Sequence, residues 1–143
     1  MLRSVLTAIA PALLLAGCGE PAASEPDAGS VTDSRGEVQT LDVDELARMV
    51  AQDKAVLVDV RTPEEFAEGH LEGAINLPVE TFDPAKVPQA ADGREVILYC
   101  RSDRRSGIAA EQLAEARGTT VRHLDGGILA WEEAGQPVTE PAQ

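Results

Sequence analysis

Residues 95–106 read Glu95-Val96-Ile97-Leu98-Tyr99-Cys100-Arg101-Ser102-Asp103-Arg104-Arg105-Ser106, and the chain from there to Arg117 keeps a helical rhythm. Glu95–Tyr99 is a continuous apolar run, the pattern of a strand buried on both faces of a parallel sheet. Arg105–Arg117 sets Ala109, Leu113 and Ala116 along one helical face, with Gly118 as its stop. Between strand and helix lies a short loop that opens on a cysteine and carries three arginines within five residues. This strand–loop–helix unit marks an α/β domain and makes Glu95–Tyr99 the best candidate for its central strand.

Working outward, the same alternation continues on both sides. Asp42 with Glu45 three residues later is a capping-box pattern that starts a helix, and Val43, Leu46, Ala47 and Val50 form its apolar stripe. Ala55–Val58 is a second continuous apolar run, ending at Asp59. Thr62 caps a short helix with Pro63 at its first position, and Ala74–Leu77 is a short extended segment closed by Pro78. Pro84–Gly93 reads as loop. Thr120–Leu124 is a further strand, Asp125-Gly126-Gly127 a turn, and Ile128–Ala134 a last helix. Strands and helices alternating at these spacings predict a parallel sheet with helices on both faces.

The composition excludes several function classes. With 143 residues and a net charge of −13, the chain has no basic surface of the kind that neutralises phosphates, so nucleic acid is not an expected partner. Phe66, Phe82, Tyr99 and Trp131 are its only aromatics, too few for base-stacking platforms. Two cysteines rule out a disulfide-dense scaffold and a Cys-rich zinc cluster. His70 and His123 lack carboxylate or Cys neighbours at ligand spacing, so both read as structural and no metal is expected. Trp131 reads as packing, and Glu64-Glu65 and Glu132-Glu133 as solvated helix faces.

The cysteine loop is where chemistry is expected. Open α/β sheets bind ligands beyond the carboxyl ends of their strands, and Cys100 stands there. A loop leading into a helix N-terminus offers several backbone N–H groups and the positive end of the helix dipole to one point, which favours a sulfur there as thiolate. Arg101, Arg104 and Arg105 add positive charge, offset by Asp103. The plainer alternative is a buried cysteine acting as a small hydrophobe after a strand. Three guanidinium groups in so short a loop weigh against it.

Three separated blocks resemble the rhodanese-like domains. The stretch Asp59-Val60-Arg61-Thr62-Pro63-Glu64-Glu65-Phe66-Ala67-Glu68-Gly69-His70-Leu71-Glu72-Gly73-Ala74-Ile75-Asn76-Leu77-Pro78 looks like their N-terminal signature. Tyr99-Cys100-Arg101-Ser102 with Arg105-Ser106 resembles their active-site loop, and His123-Leu124-Asp125-Gly126-Gly127-Ile128 with Trp131 their C-terminal signature. The resemblance covers residues 38–139 and implies a five-stranded parallel sheet flanked by helices on both faces. It also implies a catalytic Cys100 whose thiolate takes sulfane sulfur as a persulfide, with no metal or organic cofactor. Residues Arg101, Ser102, Asp103, Arg104, Arg105 and Ser106 would then form the substrate cradle. Arg101 and Arg104 are expected to meet an anionic sulfur donor at the mouth, and Arg105 to brace the loop through Asp59, with Arg61 in a bracing role as well. A thiol, a thiol-bearing protein or cyanide would take the sulfur away.

Two departures refine this expectation. Phosphatases of the same fold carry five residues between cysteine and arginine, whereas four separate Cys100 from Arg105, a tighter cradle suited to one added sulfur. Arsenate-reducing relatives are less firmly set apart by that loop length. Many family members have glycine where Asp103 stands; glycine would accept positive φ freely, and the Asp103 carboxylate opposes an anionic donor.

The N-terminus reads as an address. Arg3 precedes the apolar segment Val5–Leu15, which contains Pro11 and is shorter than the roughly 20 residues of a spanning helix. Residues 1–17 fit a signal peptide, and Leu15-Ala16-Gly17-Cys18 resembles the lipobox of bacterial lipoproteins, which implies lipidation at Cys18 and leaves Cys100 as the one thiol. Ordinary secretion with cleavage near Ala16 is the alternative. Gly19 after the cysteine points, by the same resemblance, to anchoring in the outer membrane facing the periplasm. Residues 18–37 are rich in Pro, Ala, Ser, Gly and acid and read as a flexible tether, and 140–143 as a bland tail.

Overall fold

The computed structural model describes residues 36–140. The expected signal peptide, Cys18, nearly all of the tether and residues 141–143 lie outside the described residues.

Five parallel strands form one sheet in the order β1-β5-β4-β2-β3. They are β1 (Val38–Leu41), β2 (Ala55–Asp59), β3 (Ile75–Asn76), β4 (Glu95–Tyr99) and β5 (Val121–Leu124). The helices are α1 (Val43–Ala51), α2 (Pro63–Glu68), α3 (Arg104–Arg117) and α4 (Gly127–Glu133). β4 is central, as its unbroken apolar run predicts, because a strand covered on both faces has no side that can stay polar.

The two faces carry separate cores. Val58, Val60, Leu98, Ala109 and Leu113 pack on the α3 side, and Leu46, Leu57, Ile97, Tyr99, Leu124 and Trp131 on the other. Successive residues of each strand alternate between these cores, so the helices do cover both faces. Trp131 is buried and donates Nε1–H to the Pro137 carbonyl at 2.9 Å, in keeping with its packing role.

Four local readings need correction. The strand β1 has no counterpart in the local sequence pattern, whose first element is the helix capped by Asp42; its four residues include two polar ones, and only Leu41 is buried. Its identity comes from pairing with β5, register Val38 to Val121, and not from local pattern. Asp42 does cap α1, accepting from Glu45 N–H at 2.7 Å, but Glu45 turns its carboxylate to Arg122 at 2.7 Å and leaves the capping box half made. In α3 the buried positions are Ser106, Ala109, Ala110, Leu113 and Ala114, whereas Ala116 is exposed. The stretch Pro84–Gly93, read as loop, opens with a short 3-10 turn, Pro84–Lys86, and another, Val79–Thr81, precedes it.

Candidate active site

β2 and β4 lie side by side in register from Ala55–Glu95 to Asp59–Tyr99, so the loops that leave them start at the same level. Cys100 follows β4 directly and is 1% exposed. Two residues past Leu98, it points to the α3 face, where Leu98 already packs. The Ser106 hydroxyl, fully buried in the first turn of α3, stands 3.5 Å from Cys100 Sγ.

The loop between them is held from outside. Ile128 N–H donates to the Cys100 carbonyl at 2.9 Å, and Leu129 N–H to the Arg101 carbonyl at 3.2 Å. That approach explains Gly127: it adopts φ +60°, and a Cβ there would fall on the carbonyl oxygens of Cys100 and Ser102. α4 therefore abuts the cysteine loop backbone to backbone.

The loop's own N–H groups are left over. Among the described residues, the N–H groups of Arg101, Ser102 and Asp103 donate to no protein acceptor, and the first α3 bond runs from Gly107 to the Asp103 carbonyl. The first-turn N–H groups of Arg104, Arg105 and Ser106 are likewise without helical partners. Six successive backbone donors follow the sulfur, the kind of array that binds anions.

The arginines divide into two sets. Arg105 does not reach Asp59 as expected; it forms a two-pronged pair with Glu65 of α2, Nη1 to Oε2 at 2.6 Å and Nη2 to Oε1 at 2.8 Å. Asp59 is already taken by Arg61, whose Nη2 lies 2.6 Å from Oδ2 and 2.6 Å from the Gly69 carbonyl. Both members of that pair are buried, and Asn76 closes the unit by donating to the Arg61 and Asp59 carbonyls. Asp59 and Arg61 therefore brace the β2–α2 loop, and touch the cysteine loop only through the neighbouring strand. Arg101, Ser102, Asp103 and Arg104 are exposed, and neither Arg101 nor Arg104 pairs with a described acidic residue.

The electrostatics follow from these pairings. Hydrogen bonds from Arg105 hold the Glu65 carboxyl at about 2, far below its ordinary range, and Glu65 raises Arg105 in return. Glu65 is thus a structural member of the site and not a solvated face, although Glu64, Glu132 and Glu133 are exposed as read. Burial and the adjacent Asp59 push the Tyr99 phenol up, and its hydroxyl accepts from Leu71 N–H at 3.1 Å. A cleft of about 240 Å³ runs beside the loop and includes Arg101, Arg61, Leu129, Glu65, Glu68 and Glu132 in its wall. With Arg105 neutralised, the positive excess of the loop comes from Arg101 and Arg104 alone, set against Asp103.

Asp103 departs from its sequence reading, whereas His123, read as structural, is buried and tied to the cysteine loop. Asp103 has φ −159° and ψ −27°, outside the left-handed region, so the missing glycine is not needed here for a positive φ. Its backbone carbonyl accepts from the Ser106 hydroxyl at 2.8 Å. His123 is buried on β5 with Nδ1 3.1 Å from Ser106 Oγ. Strand parity could have found it: Val121 faces α3, so the residue two further on does too. His70 is structural as read, stacked on Phe66 with Nδ1 at 2.9 Å from the Phe66 carbonyl.

A cysteine at the carboxyl end of the central strand, followed by a loop that leads into a helix N-terminus and is held by backbone bonds from α4, defines a class of open α/β domains with a cysteine loop at the sheet's carboxyl edge. The chain belongs to the Rhodanese-like domain family, whose pattern matches residues 42–134. Over 95 residues it is 43% identical to an uncharacterised protein of Synechocystis, covering 66% of this chain and 52% of that one. Over 105 residues it is 36% identical to a protein of Allochromatium vinosum named sulfurtransferase, covering 73% of this chain and 97% of the other. The crystal structure of a rhodanese-related protein from Thermoplasma volcanium superposes with a TM-score of 0.62 at 25% identity, over 71% of this chain and 97% of that one. The chain thus spans about half of the Synechocystis relative and nearly all of the other two.

Proposed function

We propose that the protein is a sulfurtransferase that carries sulfane sulfur on Cys100. The supporting observation is the placement of that sulfur: buried at the end of β4, 3.5 Å from the Ser106 hydroxyl, and followed by six backbone N–H groups without acceptors among the described residues. Cys100 thiolate attacks the outer sulfur of thiosulfate or a related anion. The Sγ–S bond forms as the donor's S–S bond breaks, and the electron pair leaves on sulfite. Arg101 and Arg104 meet the donor's charge, and the backbone donors of residues 101–106 hold the persulfide anion. A nucleophilic acceptor, cyanide or a thiol, then attacks the outer sulfur, and the pair of the breaking Sγ–S bond returns to Cys100. No oxidant or reductant is consumed, and the kinetics are ping-pong. Steady-state formation of thiocyanate from thiosulfate and cyanide tests the reading. Activity is expected in the native chain and lost in Cys100→Ala; retention in that variant overturns it.

A second reading, a carrier that relays its persulfide to a partner protein with little turnover on small molecules, draws support from the enclosure of the sulfur. A carrier loads Cys100 yet turns over slowly with every small acceptor, and the same assay separates the two. The Leu15-Ala16-Gly17-Cys18 sequence supports a place in the bacterial envelope, lipid-anchored at Cys18 and facing the periplasm from the outer membrane. Metabolic labelling with a radioactive fatty acid should mark the native chain and spare Cys18→Ser; equal labelling of both removes the anchor from the account.

A further inference from the structure

The Ser106 hydroxyl has one hydrogen and three polar neighbours: Cys100 Sγ at 3.5 Å, the Asp103 carbonyl at 2.8 Å and His123 Nδ1 at 3.1 Å. A carbonyl can only accept, so the hydroxyl hydrogen serves Asp103 in the arrangement seen. Nδ1 can then be satisfied only as a donor, giving its N–H to a lone pair of Oγ. The alternative tautomer would leave Nδ1 competing with the carbonyl for a single hydrogen inside a buried site, where an unmet group is costly.

We infer that His123 is a positioning residue for the nucleophile, acting through Ser106. With Nδ1–H fixed on Oγ, the hydroxyl keeps its own hydrogen free to turn from the Asp103 carbonyl to Cys100 Sγ when the thiol loses its proton to solvent. The thiolate gains a charge-assisted hydrogen bond, and the imidazole polarises the hydroxyl that gives it. The fold builds this chain from three elements. His123 and Leu98 are register partners on adjacent strands, Cys100 lies two residues past Leu98 on the same face, and α3 lowers Ser106 between them. Burial pushes the imidazole below its ordinary range, against the pull of Asp103 and Asp125, and so favours the neutral ring that this role uses. Those two carboxylates are the charges facing the ring; β1 and β4 set Thr40 and Leu98 beside it, and α3 sets Ser106 and Gly107.

This inference deepens the sulfur-transfer reading and rests on Cys100 as its nucleophile, but its test needs no sulfur donor. Alkylation of Cys100 by iodoacetamide, followed on the full chain by peptide mass spectrometry as pH is raised, reports the thiolate directly. Ser106→Ala and His123→Leu are each expected to slow alkylation at neutral pH about tenfold and to move its midpoint to higher pH. Combined, they should do little more than either alone, because both cut one chain. His123→Asn is the decisive variant: its amide nitrogen takes the place of Nδ1 and still donates, so alkylation should stay near the native rate. Native-like thermal melts of His123→Asn keep the comparison valid if His123→Leu fails to fold. Equal slowing in His123→Asn and in Ser106→Ala, or a His123→Leu rate matching the native one, would overturn the inference. Normal alkylation behaviour without any sulfur transfer would instead sink the proposed function and leave the relay standing.

Discussion

The ends of β2 and β4 are neighbours with opposite designs. At the end of β2 a carboxylate, Asp59, is fully buried and consumed by Arg61, whose Nη2 also donates to the Gly69 carbonyl. At the end of β4 stands a sulfur that, among the described residues, has no carboxylate partner and is followed by backbone N–H groups without acceptors and by two outward arginines. Both loops carry arginine, yet in the first the guanidinium closes a structural unit and in the second it remains open to an anion. An arginine marks a site only when its partners are missing.

The comparison predicts a graded series of effects. The largest falls on the closed unit: Arg61→Ala strands a buried carboxylate and should cost about 3–5 kcal/mol, read from denaturant unfolding. A loss below about 1 kcal/mol would mean that Asp59 is neither buried nor dependent on Arg61. Next comes the hinge between the two designs. Gly127→Ala drives a Cβ against the carbonyl oxygens of Cys100 and Ser102 at a positive φ, with an expected cost of about 1–3 kcal/mol and a larger proportional loss of sulfur transfer. A native-like rate in that variant would show that α4 does not set the loop.

The Arg105–Glu65 pair is intermediate, with side chains 28% and 26% exposed, and Glu65→Gln should cost about 1 kcal/mol. Its pH signature has a definite sign. The folded carboxyl at about 2 lies below its ordinary 4.5, so the pair's contribution is full above the ordinary value and is lost as pH falls toward 2. Native and Glu65→Gln proteins should therefore converge in stability across that acid window; parallel curves would show no linkage. The smallest effect belongs to Asp103→Gly. With φ at −159° there is no left-handed strain to relieve, so stability should hardly move, while removal of an exposed negative charge lowers KM for thiosulfate by up to about fivefold. An unchanged or raised KM would mean that the carboxylate does not face the donor.

How much of this was legible depends on whether a feature is local. β4, α3 and the position of Cys100 are written in one contiguous stretch, where an apolar run, a loop and a helix follow in order. The short edge strand β1 is not, because Val38-Gln39-Thr40-Leu41 becomes a strand only through its partner β5. The pairing of Arg105 with Asp59 failed for the same reason. Arg105 and Glu65 are 40 residues apart, and nothing local says that Glu65 is free while Asp59 is taken by Arg61. Ser106 was placed in the cradle from its position after Cys100, but its link to His123 spans 17 residues and needs the register of β4 and β5. Asp103 shows the converse error, since the glycine preference of a family at one position does not require positive φ there.

The central claim is that Cys100 carries sulfur. Peptide mass spectrometry of the full chain after exposure to thiosulfate tests it most directly. The account predicts one added sulfur atom on the peptide containing Cys100, removed by cyanide and absent from Cys100→Ala. A Cys100 peptide that stays unmodified while the chain still forms thiocyanate would contradict it.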